Sequence, residues 1–446
     1  MSLHFQLDLD LTIPANFPDP EPVGELPTHR PIGNGEVFAI KNGETRYLTH
    51  DFHKFAGKFI PHVPRWAFHK YLKRQASQVV LDPFVGSGTT LVEAMLDGQV
   101  SYGVDVDPLA RLISKVKTTP IPAKRLRKVI AATEERVRTK SRGTFRPDIP
   151  TLSHWFTDAA VDDLSHIQTI INDFRDDQDV YDFLTVAFSS IIRRASNADN
   201  QTMKTYVSHT HKKKMEPAKP LFINRLRDYS ERLERFGALV PPTGRAAILP
   251  HTDARTIGSF WKQHDLRKVD LVVGSPPYIK SVDYIYNQMA ELFWIGERWG
   301  LQTQALQNHF KTQYVGTERV GARNASANPP AKTRAVATDN VIASVYARDK
   351  KLGHVVGAYF SDMREHFQNI RRILKASARY VLVVGDSTIA GVSVPTHQLL
   401  MDCARSVGFA VDGYFGYEVR NKHMRFPRQG RGGVVSHDWV IVLTAE

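Results

Sequence analysis

Cysteine is almost missing from this chain: Cys403 is alone among 446 residues, so neither an intramolecular disulfide framework nor an all-cysteine metal cage can form. A single thiol fits a reducing compartment and predicts a cytoplasmic protein. Long apolar runs are missing too. No stretch of about 18 apolar residues occurs, so no transmembrane helix is read and no membrane is expected as a partner. The opening MSLHFQLDLDLTIPANFPDPEP has neither a basic start nor an apolar segment, so no secretory signal is expected.

Positive charge, by contrast, is plentiful and unevenly placed. Lys and Arg number 59 against 46 Asp and Glu, a formal net charge of +13 that favours a polyanionic partner. Residues 190–235 hold 11 basic and 5 acidic side chains, and residues 310–352 hold 8 and 3. Two cationic patches are read from this concentration. SHTHKKK (208–214) has no Cys or carboxylate at ligand spacing, so no metal site is expected.

Short apolar runs alternate with amphipathic stretches. QVVLDPF (78–84), SYGVDVDP (101–108), AAILPHTDAR (246–255), DLVVGSPPY (270–278), RYVLVVGDS (379–387) and WVIVLTA (439–445) read as buried strands. AYFSDMREHFQNIRRILKAS (358–377) and THQLLMDCARSVGF (396–409) read as helices. This rhythm predicts an α/β fold with a doubly wound, mostly parallel sheet. Between about 120 and 245 only helical patterns occur, which predicts a helical insertion. Residues 301–345, poor in apolar side chains, read as a mobile loop.

The first strand ends in LDPFVGSGTT (81–90), where Gly86 and Gly88 let backbone approach a ligand ahead of a helix N-terminus. A Walker phosphate loop is excluded, because Thr89 stands where its Lys should be. A dinucleotide site lacks its third glycine and is weakened. S-adenosylmethionine is the third reading: it asks for close backbone approach and carboxylates, but no pyrophosphate cradle. Asp82, Asp105 and Asp253 stand at or just beyond three successive strand ends, where such a ligand would need them.

GSPPYIKSVDY (274–284) follows another strand. Two prolines fix φ and remove two N–H donors, leaving the Ser275 and Pro276 carbonyls free, with Tyr278 at the carboxyl edge of the sheet. These groups suit methylation of an exocyclic amine on a nucleobase. The Ser275 hydroxyl and a prolyl carbonyl would accept the amine's N–H bonds and free its lone pair, while Tyr278 stacks on the base. Attack at cytosine C5 would need a cysteine in a Pro-Cys turn, and Cys403 lies in an amphipathic helix.

HKFAGKFIPHVPRWAF (53–68), LDPFVGSGTTLVEA (81–94), GVDVDPLA (103–110) and GSPPYIKSVDY together resemble the amino-group (cytosine-N4 or adenine-N6) DNA methyltransferases of bacterial modification systems. The resemblance implies a Rossmann-like, S-adenosylmethionine-dependent methyltransferase fold. It implies that Lys58, Phe59, Pro61, Asp82, Phe84, Gly86, Gly88, Asp105 and Asp253 hold the cofactor, and that Ser275, Pro276, Pro277 and Tyr278 are catalytic. A serine opening the last motif leans towards cytosine-N4 over adenine-N6. It further implies sequence-specific action on duplex DNA by base flipping within a restriction-modification system, which admits a separately encoded cognate endonuclease as a partner. An RNA methyltransferase, or a DNA-binding protein with a vestigial pocket, stand as alternatives.

The expected organisation is an N-terminal arm (1–47), a catalytic domain (48–117 and 246–446), and an insertion (118–245) as the candidate DNA-recognition region. Arg193, Arg194, Lys204, Lys212, Lys213 and Lys214 in the insertion, and Arg319, Arg323, Lys332 and Arg334 in the loop, are the candidates for meeting DNA phosphates. The basic segment RNKHMRFPRQGRGG (420–433) is a third such element.

Overall fold

The computed structural model describes residues 21–41, 45–73, 78–200, 204–208, 213–250, 252–280, 283–319, 328–418 and 437–446. Lys212, Arg323 and the 420–433 segment, and both histidines of SHTHKKK, lie outside them.

Among the described residues, nine strands form one sheet: β1 (Glu21–Val23), β2 (Val37–Ile40), β3 (Val79–Asp82), β4 (Val100–Gly103), β5 (Arg245–Ile248), β6 (Val269–Gly274), β7 (Leu374–Gly385), β10 (Phe409–Glu418) and β11 (His437–Ala445). Between β7 and β10 the chain makes a separate two-stranded hairpin, β8 (Ser387–Ile389) and β9 (Val392–Val394). The sheet order is β1-β2-β10-β11-β7-β6-β3-β4-β5. Every pairing is parallel except those of β11, which runs against both β7 and β10. This is the doubly wound, mostly parallel, Rossmann-like sheet expected from the sequence.

The central strands are near-continuous apolar runs because helices cover both faces. Their side chains alternate between the two cores. Val79 and Leu81 face the core completed by helices Ile257–Gln263, Lys350–Ile373 and Thr396–Arg405. Val80 faces the opposite core, with Val63, Trp66 and Phe68 of helix His62–Tyr71.

The chain order places a crevice at one point of the sheet. From β3 the chain moves outward through β4 and β5, then returns to β6 on the other side of β3. Loops leaving β3 and β6 therefore diverge, and an open α/β sheet binds ligands at such a switch point. Register fixes the rim: Asp82 pairs with Gly103, and Gly103 with Ile248, so the first three carboxyl ends are level.

Between β4 and β5 lie helices Ala123–Val137, Asp158–Asn172, Gln178–Ala195 and Ala218–Leu239. They share a third core that also takes in Phe52 and the segment from Met289 to Ile295. Two expectations are corrected. The stretch read as an arm supplies β1 and β2, and β2 pairs with β10, extending the sheet. The stretch read as a mobile loop contains helices Gln304–Phe310 and Val336–Arg348, and buries Leu301, Tyr314, Val315 and Ile342. A few well-spaced apolar residues were enough to anchor it. Among the described residues, no helix is long and apolar enough to cross a membrane.

Candidate active site

Four turns leave the carboxyl edge of the sheet side by side. After β3, Gly86 and Gly88 take left-handed φ values of 46° and 82°. A Cβ on Gly86 would sit 3.1 Å from the Phe55 ring, and one on Gly88 would sit 3.1 Å from the Ser114 Cα. Both positions therefore need glycine for backbone conformation as well as space. Gly88 also caps helix Thr89–Leu96.

Asp82 ends β3 and is wholly buried. Its Oδ1 accepts from the Phe84 amide at 3.1 Å, while Oδ2 has no hydrogen-bond partner among the described residues. Burial pushes its carboxyl up to about 7. Beyond β4, Asp105 accepts from the Gly86 amide and from the Asp107 amide, each at 2.9 Å. Burial first, and the Asp107 charge second, raise the Asp105 carboxyl to about 7. Asp107 caps helix Pro108–Lys117 through the amides of Leu109 (2.8 Å) and Ala110 (3.1 Å), and its other oxygen accepts from Gln288 at 2.9 Å. Asp253, beyond β5, is held by Arg255 at 2.6 Å, and Arg255 also reaches Asp362 at 3.2 Å.

One cleft lies between these turns. Pro83, Phe84 and Gly86 line it from β3, Asp105 to Asp107 from β4, Asp253 and Ala254 from β5, and Ser275 and Pro277 from β6. An aromatic series crosses it. The Phe55 and Tyr284 rings stack with centroids 5.7 Å apart, and Tyr284 and Tyr314 stack at 5.8 Å. A cleft that is largely apolar, with a few convergent carboxyls, suits a nucleoside-bearing ligand with positive charge.

Of the residues singled out in the sequence, Phe84, Gly86, Asp105, Asp253, Ser275 and Pro277 come together in the cleft lining. The others do not line it. Asp82 and Gly88 lie behind the lining. Lys58 donates to the His50 carbonyl at 2.9 Å, Phe59 packs into the core on Trp66's side, and Pro61 precedes helix His62–Tyr71. Phe55, Ala56 and Gly57 of the same segment stand at the cleft instead. Pro276 is buried, and Tyr278 turns towards β11, where its hydroxyl donates to Asp438 at 2.7 Å. Burial, then the Asp438 carboxyl, hold that hydroxyl well above its usual range.

Sequence reasoning missed Asp107, Tyr284, Gln313 and Tyr314. The first two sit inside the motifs DVDP and SVDY and were legible there. Gln313 and Tyr314 lay in the expected loop and gave no signal.

A second cavity shares Phe55, Ala56 and Tyr284 with the cleft and reaches the insertion at Arg193, Arg194 and Arg225. Several basic candidates are engaged inside the protein. Arg193 is 8% exposed and donates to the Asp199 carbonyl at 3.0 Å. Lys213 caps the end of helix Gln178–Ala195, donating to the carbonyls of Arg193 (2.7 Å), Ser196 (2.8 Å) and Ala198 (3.2 Å). Arg194 pairs with Glu216 at 2.6 Å. Lys204, Lys214, Arg319, Lys332 and Arg334 are exposed.

No protein-family model matches the chain. It is similar to the Type II methyltransferase M.MvaI of Kocuria varians, with 25% identity over 436 residues and 93% of each chain covered. It is also similar to the Type II methyltransferase M.MjaII of Methanocaldococcus jannaschii, with 22% identity over 324 residues, 53% of this chain and 60% of that one. Among solved structures, the rRNA methyltransferase aviRa of Streptomyces viridochromogenes aligns over 88% of each chain at 11% identity and a TM-score of 0.29. Sequence similarity along nearly the whole chain, joined to a Gly turn and the carboxyls of Asp105 and Asp253 in one cleft, supports a methyltransferase related to the Type II enzymes.

Proposed function

We propose that the chain transfers a methyl group from S-adenosylmethionine to the exocyclic N4 of cytosine in duplex DNA, sequence-specifically and with the target base flipped out. The observation that carries this reading is the shared cleft, in which Gly86, Asp105 and Asp253 meet Ser275 and Pro277. The similarity to Type II methyltransferases supports it. The same reading makes the chain the modifying half of a cytoplasmic restriction-modification system, beside a separately encoded endonuclease.

The residues fit the cofactor: half-buried Asp105 and Asp253 line the cleft beyond the ends of β4 and β5, where a ribose and a base would lie. The cofactor supplies a sulfonium-bound methyl group. The chain supplies position and field: glycine turns admit the ligand backbone-close, and the carboxyls favour its positive charge. At the other wall, the Ser275 hydroxyl and the backbone carbonyls of the diproline bend accept the N–H bonds of the amine. That draws its lone pair out of conjugation and aligns it for in-line attack. The excess proton passes from the methylated amine to solvent. No covalent enzyme intermediate is needed, in keeping with the burial of Cys403 in its helix.

Exposed Lys204, Lys214, Arg319, Lys332 and Arg334 would offset the few kcal/mol that unstacking a base costs. The test is transfer of labelled methyl to duplex DNA, followed by digestion to nucleosides. Label on N4-methyl-2′-deoxycytidine supports the reading. Label on N6-methyl-2′-deoxyadenosine moves the specificity, label only when RNA is offered instead moves the substrate, and no label removes the enzyme.

A further inference from the structure

Tyr278 is the one member of the Ser-Pro-Pro-Tyr segment whose side chain is tied to another part of the sheet. Its hydroxyl donates to Asp438 Oδ1 at 2.7 Å, and the Tyr417 hydroxyl donates to Asp438 Oδ2 at 3.1 Å. Asp438 sits at the start of β11, paired with Gly385 of β7 and with Tyr417 of β10. The anchor is therefore set in the sheet itself. The Tyr278 backbone, by contrast, adjoins the cleft: Pro277, the residue before it, lines the cleft with Ser275.

A carboxyl in this place is costly. Burial raises it, and the groups that offset the burial among the described residues are two hydroxyls rather than a cation. An apolar side chain would fill a strand position more cheaply. What a carboxylate offers that an apolar residue does not is two acceptor oxygens in one plane, one for each tyrosine.

We propose that Asp438 is a positioning residue: by holding the Tyr278 hydroxyl, it fixes the end of the diproline bend whose Ser275 and Pro277 face the target base in the cleft. The inference rests on the proposed function. It adds a residue that lies 160 positions from the motif and outside every segment that carries the family resemblance. Asp438 touches neither substrate nor cofactor, so its loss should move the methyl-transfer step and leave cofactor binding alone.

The test uses the full chain with Asp438→Ala, Asp438→Asn, Tyr278→Phe, and the double variant Asp438→Ala/Tyr278→Phe, measuring kcat on duplex DNA and the cofactor Kd. Asp438→Ala is expected to lower kcat by about tenfold or more with Kd unchanged. Asp438→Asn keeps a carbonyl acceptor for the Tyr278 hydroxyl, and should recover most of the loss. The double variant should be no worse than Asp438→Ala alone, because both changes break one bond. Full kcat in Asp438→Ala, an Asn variant no better than Ala, or losses that multiply would each overturn the inference. Should Asp438→Ala fail to fold, Tyr278→Phe decides: an unchanged kcat there overturns it too. A wild-type chain without methyl transfer contradicts the proposed function instead, so the two failures are distinct.

Discussion

The Gly86 amide donates to the Asp105 carboxyl at 2.9 Å, tying the turn after β3 to the end of β4. One bond thus sets the distance between the glycine that admits a ligand and the acid that would hold its ribose. Asp105→Ala removes both the tie and the charge. Its expected effect is a cofactor affinity at least about tenfold weaker, or about 1.4 kcal/mol, read by titration calorimetry. An unchanged Kd would take Asp105 out of the site.

The two glycines of the turn should separate. Gly88→Ala meets a left-handed φ of 82° and the Ser114 Cα at 3.1 Å, away from the cleft lining. It should destabilise the fold by about 1–3 kcal/mol, with the remaining folded protein binding cofactor normally. Gly86→Ala pushes a Cβ at the Phe55 ring and should weaken cofactor binding directly. Thermal melts with and without cofactor tell the two apart; equal loss of affinity in both would contradict the assignment.

Asp82 and Asp105 both titrate near 7 in the ligand-free chain, raised chiefly by burial. The folded chain then retains protons that the unfolded chain has lost, so their contribution to stability falls as pH rises from about 4 to about 7. A cationic ligand reverses the preference by favouring the ionised carboxyls. Binding at about pH 7 should therefore release protons, and affinity should rise between about pH 6 and pH 7.5. Calorimetry in buffers of different ionisation enthalpy measures this. Proton uptake, or affinity falling across that range, would be the wrong sign.

The basic candidates of the insertion and of the 301–345 stretch divide by what they touch. Lys213 caps three backbone carbonyls, so Lys213→Met should cost about 1–2 kcal/mol of stability. It should leave the salt dependence of DNA binding as it was. Lys214→Glu and Lys332→Glu alter exposed cations, and each should flatten the slope of log K against log salt by about one for every DNA phosphate it no longer neutralises. A flattened slope for Lys213→Met alone would reverse the division.

Sequence alone showed the centre of the sheet because residues 79–81, 271–273 and 380–384 of β3, β6 and β7 are buried on both faces and apolar throughout. It missed β10, where FAVDGYFGYE mixes glycine and an acid into a half-exposed strand, and β2, only four residues long. At the site, Gly86, Asp105 and Ser275 were legible because turn geometry and strand-end position restrict the residue type. Lys58, Phe59 and Pro61 followed from motif position alone, and a shift of about three residues puts Phe55 to Gly57 at the cleft instead. Asp438 could not be seen, since its meaning depends on β11 lying beside β7, a pairing that chain order does not reveal.

The central claim is that one cleft brings a cofactor turn and a Ser-Pro-Pro bend to the same reacting atoms. Single-turnover transfer of labelled methyl to duplex DNA by the wild-type chain and Ser275→Ala, with cofactor Kd measured alongside, tests it most directly. The predicted result is methylated cytosine from the wild type, and a rate lower by about 10²–10³ in Ser275→Ala at an unchanged Kd. Transfer by Ser275→Ala at the wild-type rate, or no transfer by either, would contradict it.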